Sequence, residues 1–321
     1  MSHDDQRGRQ ISSGSHSRRA SHHRRLMAIS LALQLMPASA SAQELTPGAY
    51  WPLPVRINIV TLVNSVNWGD VTFDPALPAE NARGTIDTIA FAYTRTLSIA
   101  GRSANAAVQI PLLGGHVEGL YFGVPAERGQ FGFGDPRFSL GVNLYGAPAM
   151  TPQAHATYRM RTIVGASLTV AAPLGQYDNS KLLNLGSNRW ALKPEIGLSR
   201  AAGRWIVEVM AGIWLFTDNG DFSGGQTREQ DPIASVQGHV TYRFSPRVWL
   251  AGDANFYRGG QTTVDGVRHL DIQRNARIGW TLSWALDQHH ALRASVSRGA
   301  YTTIGGDFTS VAVGYNYAWT R

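Results

Sequence analysis

Cysteine is absent from the 321-residue chain. That excludes a disulfide scaffold, thiolate metal ligands and thiol chemistry. Charge is sparse: Asp, Glu, Lys and Arg make up 16% of the residues, against about a quarter in ordinary soluble domains. No stretch reaches about 18 consecutive apolar residues, so no segment reads as a transmembrane helix. The sequence also lacks H-E-x-x-H, G-x-S-x-G and the phosphate-cradling G-x-x-x-x-G-K-[ST], which removes the commonest signatures of metalloproteases, serine hydrolases and nucleotide enzymes.

The N-terminus accounts for much of the basic balance. Arg18, Arg19, Arg24 and Arg25 precede the apolar run Leu26 to Met36, and PASASAQ follows. A basic region, a short apolar core and Ala-x-Ala make a secretory signal, with cleavage expected after Ala42 and a mature chain starting at Gln43. The basic stretch before Arg24 is long for such a signal. Residues 1–42 hold six Arg and two Asp, so their removal lowers the net charge from +7 to +3. No Lys/Arg run remains in the mature part, and a nucleic-acid partner is not expected.

What fills the mature chain is alternation. From Val311, every second residue is large and apolar or aromatic: Val311, Val313, Tyr315, Tyr317, Trp319. The residues between are Ala312, Gly314, Asn316, Ala318 and Thr320. Period two marks a strand with two unlike faces. The same pattern places Phe138, Leu140, Val142 and Leu144 on one face of a second segment, and Ile278, Trp280, Leu282 and Trp284 on one face of a third. Twelve strands are expected, near 53–65, 85–99, 103–113, 135–147, 157–172, 188–200, 203–217, 233–245, 247–258, 270–286, 290–300 and 307–319.

The connections separate the remaining classes. Short turns at Ala100–Arg102, Ala201–Gly203, Ser245–Arg247 and Asp287–His289 alternate with long Gly-rich loops, among them 114–134, 173–187, 218–232 and 259–269. A soluble sandwich has no need of strands this long or of alternating loop lengths. Long outer loops, short periplasmic turns and an even strand count describe a transmembrane antiparallel β-barrel of the outer membrane of a Gram-negative bacterium. Residues 43–321 form its single domain. The greasy face then meets lipid. Trp205, Tyr242, Phe244, Trp284, Tyr317 and Trp319 gather near the short-turn end, where an interfacial aromatic girdle belongs.

The segment Pro173 to Ser199, PLGQYDNSKLLNLGSNRWALKPEIGLS, resembles the signature of the outer-membrane transporter-like family named for the phenol-degradation pathway. The resemblance rests on Pro173, Gly175, Tyr177, Asn184, Gly186, Asn188, Trp190, Pro194 and Gly197, with Gly134-Asp135, Gly259-Gly260 and Asp265-Gly266 elsewhere. It implies a barrel linked by the family's name to aromatic or hydrophobic compounds and carries over no catalytic residue. The chain departs from barrel habit by ending Trp319-Thr320-Arg321.

Parity assigns the interior. The pore-lining candidates are Arg137, Arg159, Arg161, Lys193, Glu195, Glu208, His239, Arg243, Asp253, Asp271, Arg277 and Arg293. Basic side chains exceed acidic ones, so an open lumen would favour anions; the same charges paired with one another would fill a closed one. Trp214 and Trp249 also point inward. Ser235 and His239 share an inner face, but four residues along a strand is about 13 Å, too far for a nucleophile–base pair. The loop Asp218 to Asp231 lacks the spacing of a calcium loop and reads as a solvated loop. No enzyme activity, cofactor or metal is expected. The expected partners are the lipid bilayer, a small-molecule solute and, during biogenesis, the barrel-assembly machinery. The expected function is a channel or transporter for small solutes, aromatic or hydrophobic ones among them. The alternative is a non-transporting structural or interaction barrel that binds ligands through its outer loops.

Overall fold

The computed structural model describes residues 45–70, 79–121, 123–181, 183–304 and 306–320. The signal segment and its cleavage site lie outside them. Among the described residues, seventeen strands and one short helix form: β1 (Ile57–Asp70), β2 (Ala79–Ile99), β3 (Arg102–Tyr121), β4 (Val124–Phe133), β5 (Arg137–Tyr145), α1 (Pro152–Thr157), β6 (Thr162–Ala171), β7 (Ala191–Ala202), β8 (Trp205–Phe216), β9 (Asn219–Phe222), β10 (Gln226–Gln230), β11 (Ile233–Arg243), β12 (Val248–Gly259), β13 (Thr262–Val264), β14 (Val267–Arg268), β15 (Gln273–Ala285), β16 (His290–Tyr301) and β17 (Phe308–Thr320).

Twelve of these close into an antiparallel barrel in the order β1, β2, β3, β5, β6, β7, β8, β11, β12, β15, β16, β17, with β17 pairing back onto β1. Closure leaves no sheet edge in the bilayer, where an unpaired backbone group costs several kcal/mol. Alternation sets the register of every strand. On β17, Val313, Tyr315 and Tyr317 are exposed and Asn316 and Ala318 are buried. Exposed Leu, Ile, Val and Phe continue around the outside, as at Leu62, Phe91, Leu140, Ile196, Val209, Val240 and Ile278. The aromatic girdle is in place, with Trp205 edge-on to Tyr242 at 4.8 Å and Tyr317 stacked on Trp319 at 5.6 Å. Trp280, higher on the outer face, lies over Gly252 of the neighbouring strand.

Three expectations change. Residues 114–134 are not a loop: β3 runs on to Tyr121 and turns into β4, which pairs along it from Val124 to Phe133. Glycines at 114, 115, 119, 129 and 132 had blurred the alternation there. The strand expected from 157 begins at Thr162, because Thr151 caps a helical turn, its Oγ1 accepting from Ala154 N–H at 3.3 Å, and Pro152 occupies the first turn. Residues 218–231 are ordered as β9 and β10, which join β13 and β14 in a small four-stranded sheet outside the barrel.

Above Arg137 the wall has a built seam. Among the described residues β4 pairs with β3 alone, and the start of the signature loop 172–190 meets its end at Phe133. Asp135 clips it. One carboxylate oxygen accepts from Gly175 N–H at 2.9 Å, and the other accepts from Ser187 N–H at 2.8 Å and Ser187 Oγ. Gln176 N–H adds a bond to Phe133 O at 2.8 Å. Hydrogen bonds to a charged acceptor are worth about 1.5–3 kcal/mol each. Asp135→Ala is therefore expected to free the loop while leaving the barrel folded, read as protease cleavage within 172–190 on intact cells.

Candidate functional site: the lumen and the segment inside it

Residues 45–56 do not join the wall. They fold into the barrel and fill its centre. Thr46 donates through N–H and Oγ1 to Gln237 Oε1, at 3.3 and 3.2 Å. Gly48 N–H donates to Glu208 Oε2 at 2.9 Å. Tyr50 Oη donates to Glu195 Oε1 at 3.2 Å and lies 3.1 Å from Ser167 Oγ. Trp51 meets Trp249 edge-on at 5.4 Å. The Tyr50 ring needs two wall glycines: a Cβ on Gly165 or Gly197 would stand 2.1 or 2.2 Å from it. At the periplasmic end His155 of α1 contacts Pro52 O at 3.0 Å, and burial holds its imidazole below the ordinary value.

The two halves of the wall differ. Buried ionisable groups lie on β7 (Lys193, Glu195), β8 (Glu208), β11 (His239), β12 (Asp253) and β15 (Arg277), with Arg293 of β16 half-buried beside them. They engage one another: Lys193 Nζ is 2.7 Å from Glu195 Oε2, and His239 Nδ1 is 2.7 Å from Asp253 Oδ1. Arg277 stacks over Phe308 at 4.1 Å and Arg293 over Trp249 at 5.2 Å. Facing water-poor space, such charges persist only when paired or hydrogen-bonded. The opposite half, from β17 through β6, presents small and neutral side chains inward, such as Ser65, Thr88, Ala90, Ala92, Thr94 and Ser310. Among the described residues, Arg137 is the one buried ionisable side chain on those strands.

The inner segment leans on the charged half and leaves room against the neutral half. A lower cavity, open to solvent, lies between Ala49, Trp51, Leu53 and the β2–β3–β5–β6 wall. An upper one lies beneath Phe308 between Leu45, the β17–β1–β2 wall and β12, β15 and β16 opposite, where Asp253 and Arg277 border it. Thr88 and Ala90 line the upper cavity, Ala92, Thr94 and Thr96 the lower. These are successive inward positions of one strand, so the two spaces adjoin along β2. Above them Leu185 of the signature loop packs on Ile86, Leu113 and Phe308.

Of the sequence candidates, Arg137, Lys193, Glu195, Glu208, His239, Asp253 and Arg277 are buried inside the barrel wall. Four are not where parity put them. Arg159 and Arg161 precede β6 and are exposed on the periplasmic connection. Arg243, at the end of β11, donates to Gly203 O at 2.8 Å in a periplasmic turn. Asp271 lies beyond the strands, accepting from Thr262 N–H at 2.9 Å in the outer loops. Extending the alternation past the strand ends produced these errors. Ser235 and His239 are not brought together: His239 faces Asp253 and Gln237. Sequence reasoning missed Thr46, Gly48, Tyr50 and Trp51 altogether.

A closed twelve-stranded wall with a lipid-facing apolar belt, an aromatic girdle and a polar interior defines an outer-membrane β-barrel. The sequence matches the family described as the MetA-pathway of phenol degradation over residues 40–313, and the chain belongs to that family. Among solved structures it is similar to an outer membrane channel from Pseudomonas putida F1, at 21% identity and TM-score 0.71, covering 86% of this chain and all of that one. More distant similarities are to the transport unit of the autotransporter AIDA-I from Escherichia coli (8% identity, TM-score 0.49, 82% and 90% covered) and to the KdgM porin (8%, 0.43, 81% and 99%). No curated protein matches the sequence.

Proposed function

We propose that the protein is a passive channel for small solutes, aromatic or hydrophobic ones among them, and that its route runs along the neutral wall past residues 45–56. The line of two adjoining cavities on β2 carries this reading. Along β2, Ala and Thr offer a solute apolar patches and hydroxyls, while Arg137 borders the lower cavity and Asp253 and Arg277 the upper. The paired charges opposite serve to seat the inner segment, so ion preference is set by few groups. The low charge of the mature chain and its signal-like leader support placement of the chain from Gln43 onward in the outer membrane.

The test is direct. Purified mature protein in planar bilayers is expected to give discrete conductance steps, and in liposomes to speed entry of a neutral aromatic such as benzyl alcohol beyond its leak through lipid. Absence of both would leave a closed barrel that acts through its outer loops.

A further inference from the structure

We propose that the outer ends of β12, β15 and β16 carry a lipid-facing site for the phosphate groups of a glycolipid in the outer leaflet, with Arg258, Arg274 and Arg298 as its cations. All three share the outward parity of their strands, Arg258 with Phe256, Arg274 with Ile278 and Arg298 with Val296, and all three are exposed. Each lies toward the strand end that leads into an outer loop. Arg258 and Arg274 stand directly opposite each other across the β12–β15 pair, which brings their Cβ atoms to about 4.5–5.5 Å. Arg298 stands opposite Ile278, farther down β15 from Arg274, by about 13 Å. Its side chain is long enough to turn up toward the polar surface. Exposed Tyr301 stands opposite Ala276, between the two heights.

The chain supplies these cations with no counter-charge. Like charges directly opposite each other on a sheet repel. Among the described residues, no ion pair or hydrogen bond engages any of the three guanidinium groups. None of the outward positions on β11, β12, β15, β16 and β17 is Asp or Glu. Two other arginines toward the outer side are neutralised within the chain: Arg83 pairs with Asp70 at 3.1 Å, and Arg268 pairs with Asp231. Guanidinium forks match the oxygens of a phosphate, and the paired forks of Arg258 and Arg274 can share one. Below the cluster the wall is apolar, with Phe256, Ile278, Trp280 and Val296 exposed to lipid. A molecule that satisfies both surfaces carries phosphates above and acyl chains beneath. Free phosphate would meet the cations and leave the apolar wall to other lipids. A zwitterionic lipid would cover the wall and bring no net charge to the arginines.

Native mass spectrometry of the purified full-length mature protein in detergent tests this, with diphosphoryl lipid A and phosphatidylethanolamine as probes and inorganic phosphate as competitor. Diphosphoryl lipid A is expected to bind more tightly than phosphatidylethanolamine, and an equal concentration of inorganic phosphate is expected not to displace it. The double variant Arg258→Gln/Arg274→Gln is expected to weaken lipid A by about tenfold or more, and Arg298→Gln to weaken it severalfold. Arg258→Lys/Arg274→Lys, which keeps charge but not the forks, is expected to recover part of the loss. Arg83→Gln, which removes a cation already held by Asp70, is expected to leave binding unchanged, and heat-modifiable gel mobility verifies that each variant is folded. Unchanged lipid A affinity in folded Arg258→Gln/Arg274→Gln would overturn the site. So would equal binding of the two lipids, displacement by inorganic phosphate at equal concentration, or an equal loss on Arg83→Gln. The site stands on the outer face of the wall, so its outcome is separate from whether the lumen conducts.

Discussion

Removing residues 45–55 is expected to raise the single-channel conductance several-fold. The wall does not need them: β1 begins at Ile57 and pairs with β17 from there and with β2 from Asn58. The lumen they occupy is intermediate in width. Eight-stranded barrels are filled by their own side chains and sixteen-stranded ones hold an aqueous channel, so at twelve strands one inserted segment decides whether water passes. Its hold comes from a few polar contacts to Gln237, Glu208 and Glu195 and from two rings, Tyr50 and Trp51. Gly165→Val gives a second route to the same state without deletion. A side chain at 165 would occupy the volume of the Tyr50 ring, so the ring must leave and the segment loosen. Both variants are expected to conduct more, with the loosened one noisier because the segment still visits its seat. A truncated barrel that folds and conducts no better would place the route elsewhere.

Val313→Arg is expected to destabilise the barrel by about 2–4 kcal/mol, and Ala312→Arg to cost little. The residues are adjacent, and period two puts them on opposite faces. Val313 is 56% exposed on the outer surface, well above the Tyr317–Trp319 girdle. A cation there enters hydrocarbon or drags water with it. Ala312 lines the upper cavity together with Asp253, so an Arg at 312 has both space and a carboxylate. Asn316, the first inward residue that alternation suggests for such a test, is a poor choice. It is buried and accepts from Thr61 Oγ1 at 2.7 Å across the closing seam, and a larger residue would break that bond and overpack the site. Folding titrations in lipid vesicles compare the two variants. Greater damage from Ala312→Arg would mean that β17 is a residue out of register.

The wall was legible in the sequence for a physical reason. Each strand must present apolar atoms to lipid and small or polar ones to the lumen, so each carries the pattern on its own, without its neighbours. All twelve barrel strands were readable this way, and so was the inward direction of Lys193, Glu208, His239 and Asp253. The inner segment was not. TPGAYWPLPVR has no period; Pro52 and Pro54 interrupt it, and Arg56 takes a left-handed turn at φ 64°. Its partners Glu208 and Gln237 are 160 and 191 residues away, and nothing local announces a contact of that range. The same limit hid the asymmetry of the lumen. Parity tells which residues face in, but not that the charged ones gather on β7 to β16, nor that Lys193 spends its charge on Glu195.

Because the chain has no cysteine of its own, single cysteines can report the route without background. Ala92 stands on the inner row of β2 where the two cavities meet, and Phe91 beside it faces lipid. Thr241 lies buried on the charged half, behind the inner segment. The measurement is bilayer current before and after a charged thiol reagent on Ala92→Cys, with Phe91→Cys and Thr241→Cys alongside. Reagent at 92 is expected to cut the current sharply and to leave the other two unchanged. Current that survives modification at 92 and falls on modification at 241 would contradict a route along the neutral wall.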